Sequence, residues 1–255
     1  SGDFAELQSV VNNASSGSTI YLTKDYTFVS GDGNGVSISK PLTIDGQGHT
    51  INGSGTARAF HVTNDNVVII NINFVNTYRN GDKQRGSAIC IDHNGTIMNC
   101  HFTNSSCDWE GGAIYFGYGG SIINCSFENC HASDDGGAIA IFSNFGTVSG
   151  CDFTNCHIDA QKDDYDGGAI YLDCGGVVSD CNFLNCYNDE KDASEGGVIC
   201  INHGAGTVTN CNFNNNKCTQ SNAYRCVLLA RGLNATIEGC NFTNNEANSG
   251  DSKAT

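Results

Sequence analysis

One repeated pattern constrains the fold of this chain more than any other feature of its sequence. Cys-x-Phe-x-Asn occurs six times, and successive Cys residues are 25, 26, 30, 30 and 29 positions apart. The six copies supply Cys100, Cys125, Cys151, Cys181, Cys211 and Cys240; Phe102, Phe127, Phe153, Phe183, Phe213 and Phe242; and Asn104, Asn129, Asn155, Asn185, Asn215 and Asn244. A period of this length is typical of solenoids, in which each repeat contacts only its neighbours.

Two more motifs keep phase with the first and predict strands. Gly-Gly-Ala-Ile, as at residues 111–114, begins one segment, and Gly-Ser-Ile, as at residues 120–122, comes shortly before a Cys. Apolar residues two apart, such as Ile139 and Ile141, point to the same side of a strand. Three short strands in each repeat predict an all-β, right-handed parallel β-helix of about eight or nine coils.

The N-terminal segment predicts a helix that covers the first coil. Asp3 is a suitable N-cap with Glu6 three residues later, and an apolar stripe follows along the segment. The chain is predicted to be a single domain made of a capping helix (1–17), irregular first coils (18–80), regular repeats (81–246) and a tail (247–255). The tail shows no matching cap, so we expect a monomeric fragment of a longer chain.

Composition excludes several classes of protein. Twelve Lys and Arg face 27 Asp and Glu, for a net charge of −15, which is unsuited to binding nucleic acid. No stretch approaches the ~18 apolar residues of a membrane helix, so no membrane insertion by this segment is expected. Leu and Met are scarce beside Ile, Val, Thr, Asn and Gly, which excludes a helical bundle.

The repeated residues are predicted to form ladders from coil to coil. Phe is expected to stack in the core, and Asn to form an internal stack of carboxamides at a turn. Inward, parallel Cys side chains keep their Cβ atoms about one strand spacing apart, farther than the ~3.5–4.5 Å typical of a disulfide. The six ladder Cys of the 15 in the chain are therefore predicted to be reduced core residues.

The remaining Cys residues raise the question of a metal site. Cys130-His131 and Cys156-His157 occupy equivalent places on adjacent coils, but adjacent strand residues point apart, which disfavours a zinc site. Cys90 and Cys200 follow Ile in an outward position, so exposed thiols are expected there. Such thiols suit a reducing or anoxic habitat.

The motifs together resemble known surface proteins. Gly-Gly-Ala-Ile with Phe-containing repeats resembles the polymorphic outer-membrane-protein class of pectin-lyase-like β-helices. The leading Asp3-Phe4 helix, the run 42–51 and the acidic, Asn-rich coils look like adhesin-like surface proteins of methanogenic archaea. This resemblance implies an extracellular protein on the cell surface of an anaerobe, which binds a glycan or protein of another organism.

Two sets of loop residues are candidates for binding. Aromatic residues on polar loops suit sugar stacking and protein hot spots, and they are Trp109, Tyr165, Tyr187 and Tyr224. Acidic residues before the Gly pairs suit Ca²⁺ as a cofactor, or else form a solvated edge; they are Asp135, Asp163, Asp164, Asp166 and Glu195.

Two alternatives to an adhesin stay open. Some β-helices cleave acidic polysaccharides, by elimination with Ca²⁺ and an Arg or Lys base or by hydrolysis with paired carboxylates. The sequence places no Arg centrally beside the acidic coils, so no catalytic residue is assigned and a non-catalytic module is favoured. The other alternative is a passive stalk that holds a separate binding domain away from the cell.

Overall fold

The strands of this chain wind into a solenoid whose coils pair in parallel. The structure, a computed structural model, describes residues 1–81, 83–143, 145–159, 166–188, 197–218, 227–231 and 234–247. Within these residues the strands form four parallel sheets of eight, nine, ten and seven strands, numbered here in the order in which a coil visits them.

Sheet 1 holds the Ile-x-Ile segments: Val36–Ile38, Phe60–Val62, Ile89–Ile91, Ile114–Phe116, Ile139–Ile141, Ile170–Leu172, Ile199–Ile201 and Leu228–Ala230. Sheet 2 holds the segments that begin mostly with Gly: Thr19–Tyr21, Thr43–Asp45, Val67–Ile70, Gly95–Met98, Gly120–Ile123, Gly146–Ser149, Gly176–Ser179, Gly206–Thr209 and Thr236–Glu238.

Sheet 3 holds the Phe segments: Gly2–Asp3, Tyr26–Thr27, Thr50–Asn52, Asn73–Val75, His101–Thr103, Ser126–Glu128, Asp152–Thr154, Asn182–Leu184, Asn212–Asn214 and Asn241–Thr243. Sheet 4 consists of two-residue strands: Tyr78–Arg79, Ser106–Cys107, His131–Ala132, His157–Ile158, Tyr187–Asn188, Lys217–Cys218 and Glu246–Ala247. The predicted β-helix is confirmed, but sheet 4 adds a fourth strand to seven coils, from Tyr78 onward, where three were expected. Strands of two residues are too short to show an alternation in sequence.

The core lies inside the coils and is built from ladders. Consecutive Phe rings from Phe74 to Phe242 stack with centroids 4.8–5.0 Å apart and planes within 6° of parallel. The spacing equals the distance between paired strands, so each ring packs directly on the next. Burying one such side chain contributes about 1.5–3 kcal/mol, which makes the Phe ladder a main source of stability.

Two Cys ladders flank the Phe ladder inside the core. Cys100, Cys125, Cys151, Cys181 and Cys211 are buried on one side, and Cys130, Cys156 and Cys186 on the other. Thiols of the first ladder lie 3.1–3.3 Å from the carbonyl oxygen two residues earlier, a weak hydrogen bond. Every cysteine that the structure describes is a free thiol.

The repeated Asn residues mark a sharp corner between sheets 3 and 4. Their φ angles are 50–55°, in the left-handed region that Asn tolerates better than most residues; the residues are Asn76, Asn104, Asn129, Asn155, Asn185, Asn215 and Asn244. Their side chains are exposed or half-buried, so the expectation of an internal stack is wrong. A left-handed corner turns the side chain away from the core.

A second left-handed corner comes just before the first Cys ladder, between sheets 2 and 3. It is occupied by Asn71, Asn99, Asn124, Gly150, Asp180, Asn210 and Gly239, with φ of 52–65°. Asn, Asp and Gly are the residues that adopt this conformation at least cost. The corner explains why the repeat admits so few residue types before each ladder Cys.

One helix, α1 (Phe4–Asn13), covers the N-terminal end of the solenoid, as predicted. Asp3 caps it, because its Oδ1 accepts a hydrogen bond from the Glu6 N–H at 2.8 Å. Phe4, Leu7 and Val11 are buried against the first coil. Within the described residues, no helix is long and apolar enough to cross a bilayer.

Candidate functional site

An outward groove runs along the solenoid axis over sheet 4 and the Asn corner beside it. It encloses about 460 Å³. We call it the ring–amide groove, and its lining residues are Asn104, Ser106, Asn129, His131, Asn155, His157 and Tyr187. Each comes from the same two places in successive coils, so the groove extends the repeat to the surface.

Three stacked rings form one wall of the ring–amide groove. The centroids of His131 and His157 are 5.1 Å apart, and those of His157 and Tyr187 are 4.3 Å apart, with planes within 16° of parallel. All three are half-buried, so an edge of the stack remains open to solvent. The parallel register of the two-residue strands places these rings one above another.

Hydrogen-bonded amides form the other wall. Asn129 Nδ2 donates to Asn104 Oδ1 at 3.3 Å, and Asn155 Nδ2 donates to Asn129 Oδ1 at 3.1 Å. A carboxamide has two N–H donors and two acceptor lone pairs. Each amide in the middle of the ladder therefore uses one N–H donor and one acceptor lone pair within the ladder. Its second N–H and second lone pair can hydrogen-bond to a bound molecule.

The same strands separate the thiols from the imidazoles. Cys130 and Cys156 are fully buried in the core, whereas His131 and His157 face the ring–amide groove. Adjacent residues of a strand point to opposite sides, and this divides the four potential zinc ligands between core and surface. The arrangement gives the groove rings and amides instead of a metal centre.

A second cluster lies over the outward side of sheet 1, at the turns before the Gly pairs. Glu110 and Asp166 are buried, and the N–H of Asp166 donates to Asp135 Oδ1 at 2.8 Å. We call Glu110, Asp135 and Asp166, with the arginines that pair with them, the carboxylate face. Tyr115 and Tyr171 lie beneath it and are buried.

Arginines reach the carboxylate face from other coils, Arg85 from the adjacent coil and Arg231 from two coils away. Arg231 Nη2 lies 2.8 Å from Asp166 Oδ2, and Arg85 Nε lies 2.5 Å from Glu110 Oε2. The expectation that no Arg lies centrally beside the acidic coils is therefore wrong. The Arg85 guanidinium also sits 4.8 Å from the centroid of the Tyr115 ring, within cation–π range.

Burial changes the acidity of this cluster. It raises the pKa of Asp135 to about 8, and the neighbouring Asp134, Asp166 and Glu110 charges act in the same direction. The Asp166 N–H opposes that change. Burial also raises the pKa of Glu110, with Arg85 acting against it. Near pH 7 the cluster therefore combines a protonated acid with an ion-paired carboxylate.

The structure separates the four aromatic residues predicted to bind a ligand. Tyr187 lines the ring–amide groove, but it belongs to a strand and not to a loop edge. Trp109 is half-buried beside Glu110, away from the groove lining. Tyr165 and Tyr224 lie outside the described residues. His131 and His157 were missed as binding residues, although their position directly after two in-phase Cys residues was visible in the sequence.

The predicted calcium ligands are only partly described. Asp135 and Asp166 are adjacent, and Asp166 pairs with Arg231. Asp163, Asp164 and Glu195 lie outside the described residues, so calcium stays a prediction. Cys90 and Cys200 are buried, contrary to the expectation of exposed thiols, because neighbouring side chains cover the outward side of sheet 1.

Four parallel sheets around one core define a right-handed parallel β-solenoid of about eight turns. Residues 87–253 match the family model described as the right-handed β-helix region, and the chain belongs to this family. A search of the curated proteins found no match. The A-module of an Azotobacter vinelandii mannuronan C-5 epimerase is a similar solved structure, with a TM-score of 0.37 and 11% identity, covering 100% of this chain and 96% of that one. A similarity of this size supports no statement about activity.

Proposed function

We propose that this chain is a non-catalytic adhesin module that acts at the cell surface and binds a glycan of another cell in the ring–amide groove. The observation that carries the proposal is the continuous strip of stacked rings beside a hydrogen-bonded amide ladder. Aromatic faces bind the apolar faces of sugars, and amides bind their hydroxyls. Groups repeated at the coil spacing suit a ligand that itself repeats, such as an extended glycan chain.

Charge narrows the class of glycan. The chain carries a net charge of −15 and would repel an acidic polysaccharide. The lining residues of the ring–amide groove include no carboxylate. We therefore expect a neutral glycan, with affinity that depends little on salt because no ion pair contributes.

The proposal is tested with a glycan array followed by calorimetric titration of the best neutral oligosaccharide. Replacing His157 and Tyr187 together by Ala should weaken binding about tenfold or more, since each stacked ring contributes about 0.5–1.5 kcal/mol. Tyr118→Ala is the matched control, because Tyr118 is an exposed ring outside the groove lining and its loss should leave affinity unchanged.

Two results would reject the ring–amide groove as a binding site. A folded sample that binds no glycan on the array would favour the passive stalk. Binding that the double variant retains in full would place the ligand elsewhere on the solenoid. Melting temperatures of all variants must agree with that of the unchanged protein, which separates lost contacts from lost structure.

The carboxylate face supports a second candidate, a glycoside hydrolase. Hydrolysis of a glycosidic bond needs one protonated carboxyl and one carboxylate, and Asp135 beside the Arg231-paired Asp166 offers that combination. Release of reducing ends from polysaccharides by the unchanged protein, lost in Asp135→Asn, would support this function. Full activity in that variant would exclude it.

A further inference from the structure

A set of three different ligand groups lies on the outward side of sheet 1, near the N-terminal end, and it borders the carboxylate face because Cys90 pairs with Tyr115. His61 and Cys90 are register partners on the paired strands Phe60–Val62 and Ile89–Ile91. Asp92 directly follows the second strand. One potential ligand atom from each of the three lies within 4.8 Å of the other two.

The distances between these atoms suit a small cation. His61 Nε2 lies 3.1 Å from Asp92 Oδ2, and Cys90 Sγ lies 3.8 Å from Asp92 Oδ1. Bond lengths of about 2.0–2.3 Å in a tetrahedron place ligand atoms roughly 3.3–3.6 Å apart. Small side-chain rotations would therefore bring the three groups onto one ion.

We propose that His61, Cys90 and Asp92 bind one Zn²⁺ ion, with solvent in the fourth position. Imidazole, thiolate and carboxylate are the three ligand types that zinc accepts in proteins. Thiolate and carboxylate together balance the charge of the ion. An open fourth position gives the ion access to an exogenous ligand.

Groups of both charges surround Cys90. Asp92 is its negative neighbour and would share the ion with it. Arg58 and Arg85 are the positive neighbours of Cys90; they stabilise a thiolate and also reduce the net attraction for a cation.

The site depends on a departure from the repeat. Outward positions of sheet 1 elsewhere hold Ser37, Tyr115, Ala140, Tyr171, Cys200 and Leu229. Among the described strands of this sheet, His61 and Cys90 are the one neighbouring pair that offers both nitrogen and sulfur. His61 and Asp92 keep side-chain exposures of 34% and 47%, which leaves a path for the ion.

A similar trio elsewhere provides a matched control. Cys174 Sγ lies 3.4 Å from Asp173 Oδ2, and His203 Nδ1 lies 3.3 Å from Asp173 Oδ1. Among the residues that the structure describes, the ligand atoms of this second trio do not all come within 4.8 Å of one another, unlike those of the proposed site. The same three residue types therefore occur twice, with convergence at one place.

The test uses reduced, chelator-treated protein prepared without oxygen and incubated with Zn²⁺. After gel filtration, elemental analysis should find one Zn²⁺ per chain. Co²⁺ in its place should give a thiolate-to-metal charge-transfer band. His61→Gln and Cys90→Ala should each weaken Zn²⁺ binding by more than the roughly 10–100-fold that an outer-shell change costs. The control variants Cys174→Ala and His203→Gln should bind as the unchanged protein does.

Three outcomes would overturn the zinc site. The first is that the unchanged protein holds no Zn²⁺. The second is that His61→Gln binds Zn²⁺ as tightly as the unchanged protein does. The third is that the charge-transfer band of the Co²⁺ complex survives in Cys90→Ala. His61 is partly exposed, so His61→Gln should fold normally and keeps the test decisive if Cys90→Ala is unstable. Glycan binding by the ring–amide groove is measured separately and does not depend on this site.

Discussion

The ring–amide groove and the carboxylate face are built on the same coils, yet they follow the repeat to different degrees. In the groove, each ring stacks on a ring and each amide bonds to an amide. On the carboxylate face, the underlying outward positions change from coil to coil, through Tyr115, Ala140, Tyr171 and Cys200.

Charge limits how often a side chain can repeat along a solenoid. Identical neutral groups one strand spacing apart stabilise one another, whereas two like charges at about 4.8 Å repel by roughly 3–4 kcal/mol at an effective dielectric constant of 20. The carboxylate face relieves this repulsion with Arg85, Arg231 and a raised pKa at Asp135. A solenoid can therefore repeat rings and amides without limit, but must interrupt carboxylates.

The largest effect should come from the core that both faces share. Phe127→Ala removes a ring from the middle of the Phe ladder and should lower the free energy of unfolding by about 3–5 kcal/mol. His131→Ala removes an outward ring from the same coil and should cost less than about 1 kcal/mol. Denaturant unfolding measures both, and comparable losses would show that the groove wall is part of the structural core.

A smaller effect should distinguish the carboxylate face by its pH dependence. Asp135 has a pKa of about 8 when folded, above its unfolded value, so the folded state holds an extra proton between pH 4 and 8. The stability contributed by this group is fully present below about pH 4, and it is lost progressively as the pH rises from 4 to the folded pKa of about 8. Between pH 5 and 8, the free energy of unfolding should therefore change by about 1–3 kcal/mol less in Asp135→Asn than in the unchanged protein.

The control for this measurement is Asp152→Asn, which replaces the same carboxyl group at an exposed position on sheet 3. Unfolding is followed at several pH values for both variants and the unchanged protein. A stability curve for Asp135→Asn that parallels that of the unchanged protein would mean that Asp135 is ionised in the folded state. The acid proposed for glycoside hydrolysis would then be missing.

The smallest effect should appear at the corner of the groove. Asn129 has φ of 53°, and placing Ala there costs about 1–2 kcal/mol because its Cβ crowds the backbone. Asn129→Gly removes the same amide, but Gly adopts a positive φ without steric cost, so this variant should be more stable than Asn129→Ala. Thermal melts compare the two, with Asn214→Ala on an exposed strand position as control. Equal losses would assign the stability to the amide ladder and not to the corner.

Periodic features could be predicted from the sequence, and features that depend on backbone angles or long side chains could not. Phe127 and Cys125 recur in phase, and the period identified the solenoid. The outward direction of Asn129 follows from a positive φ that the pattern does not report. The pairing of Arg231 with Asp166 crosses between coils through a long side chain, at a place where the repeat motifs no longer align.

The parallel register of the four sheets also determines how the molecule carries load. Hydrogen bonds between coils run along the solenoid axis, so tension between the two ends stretches all the bonds of one junction together. The same force passes through each junction in turn. Under a steady pull the solenoid should yield at its weakest junction and lengthen by one coil at a time, which would let a tethered molecule absorb a sudden strain.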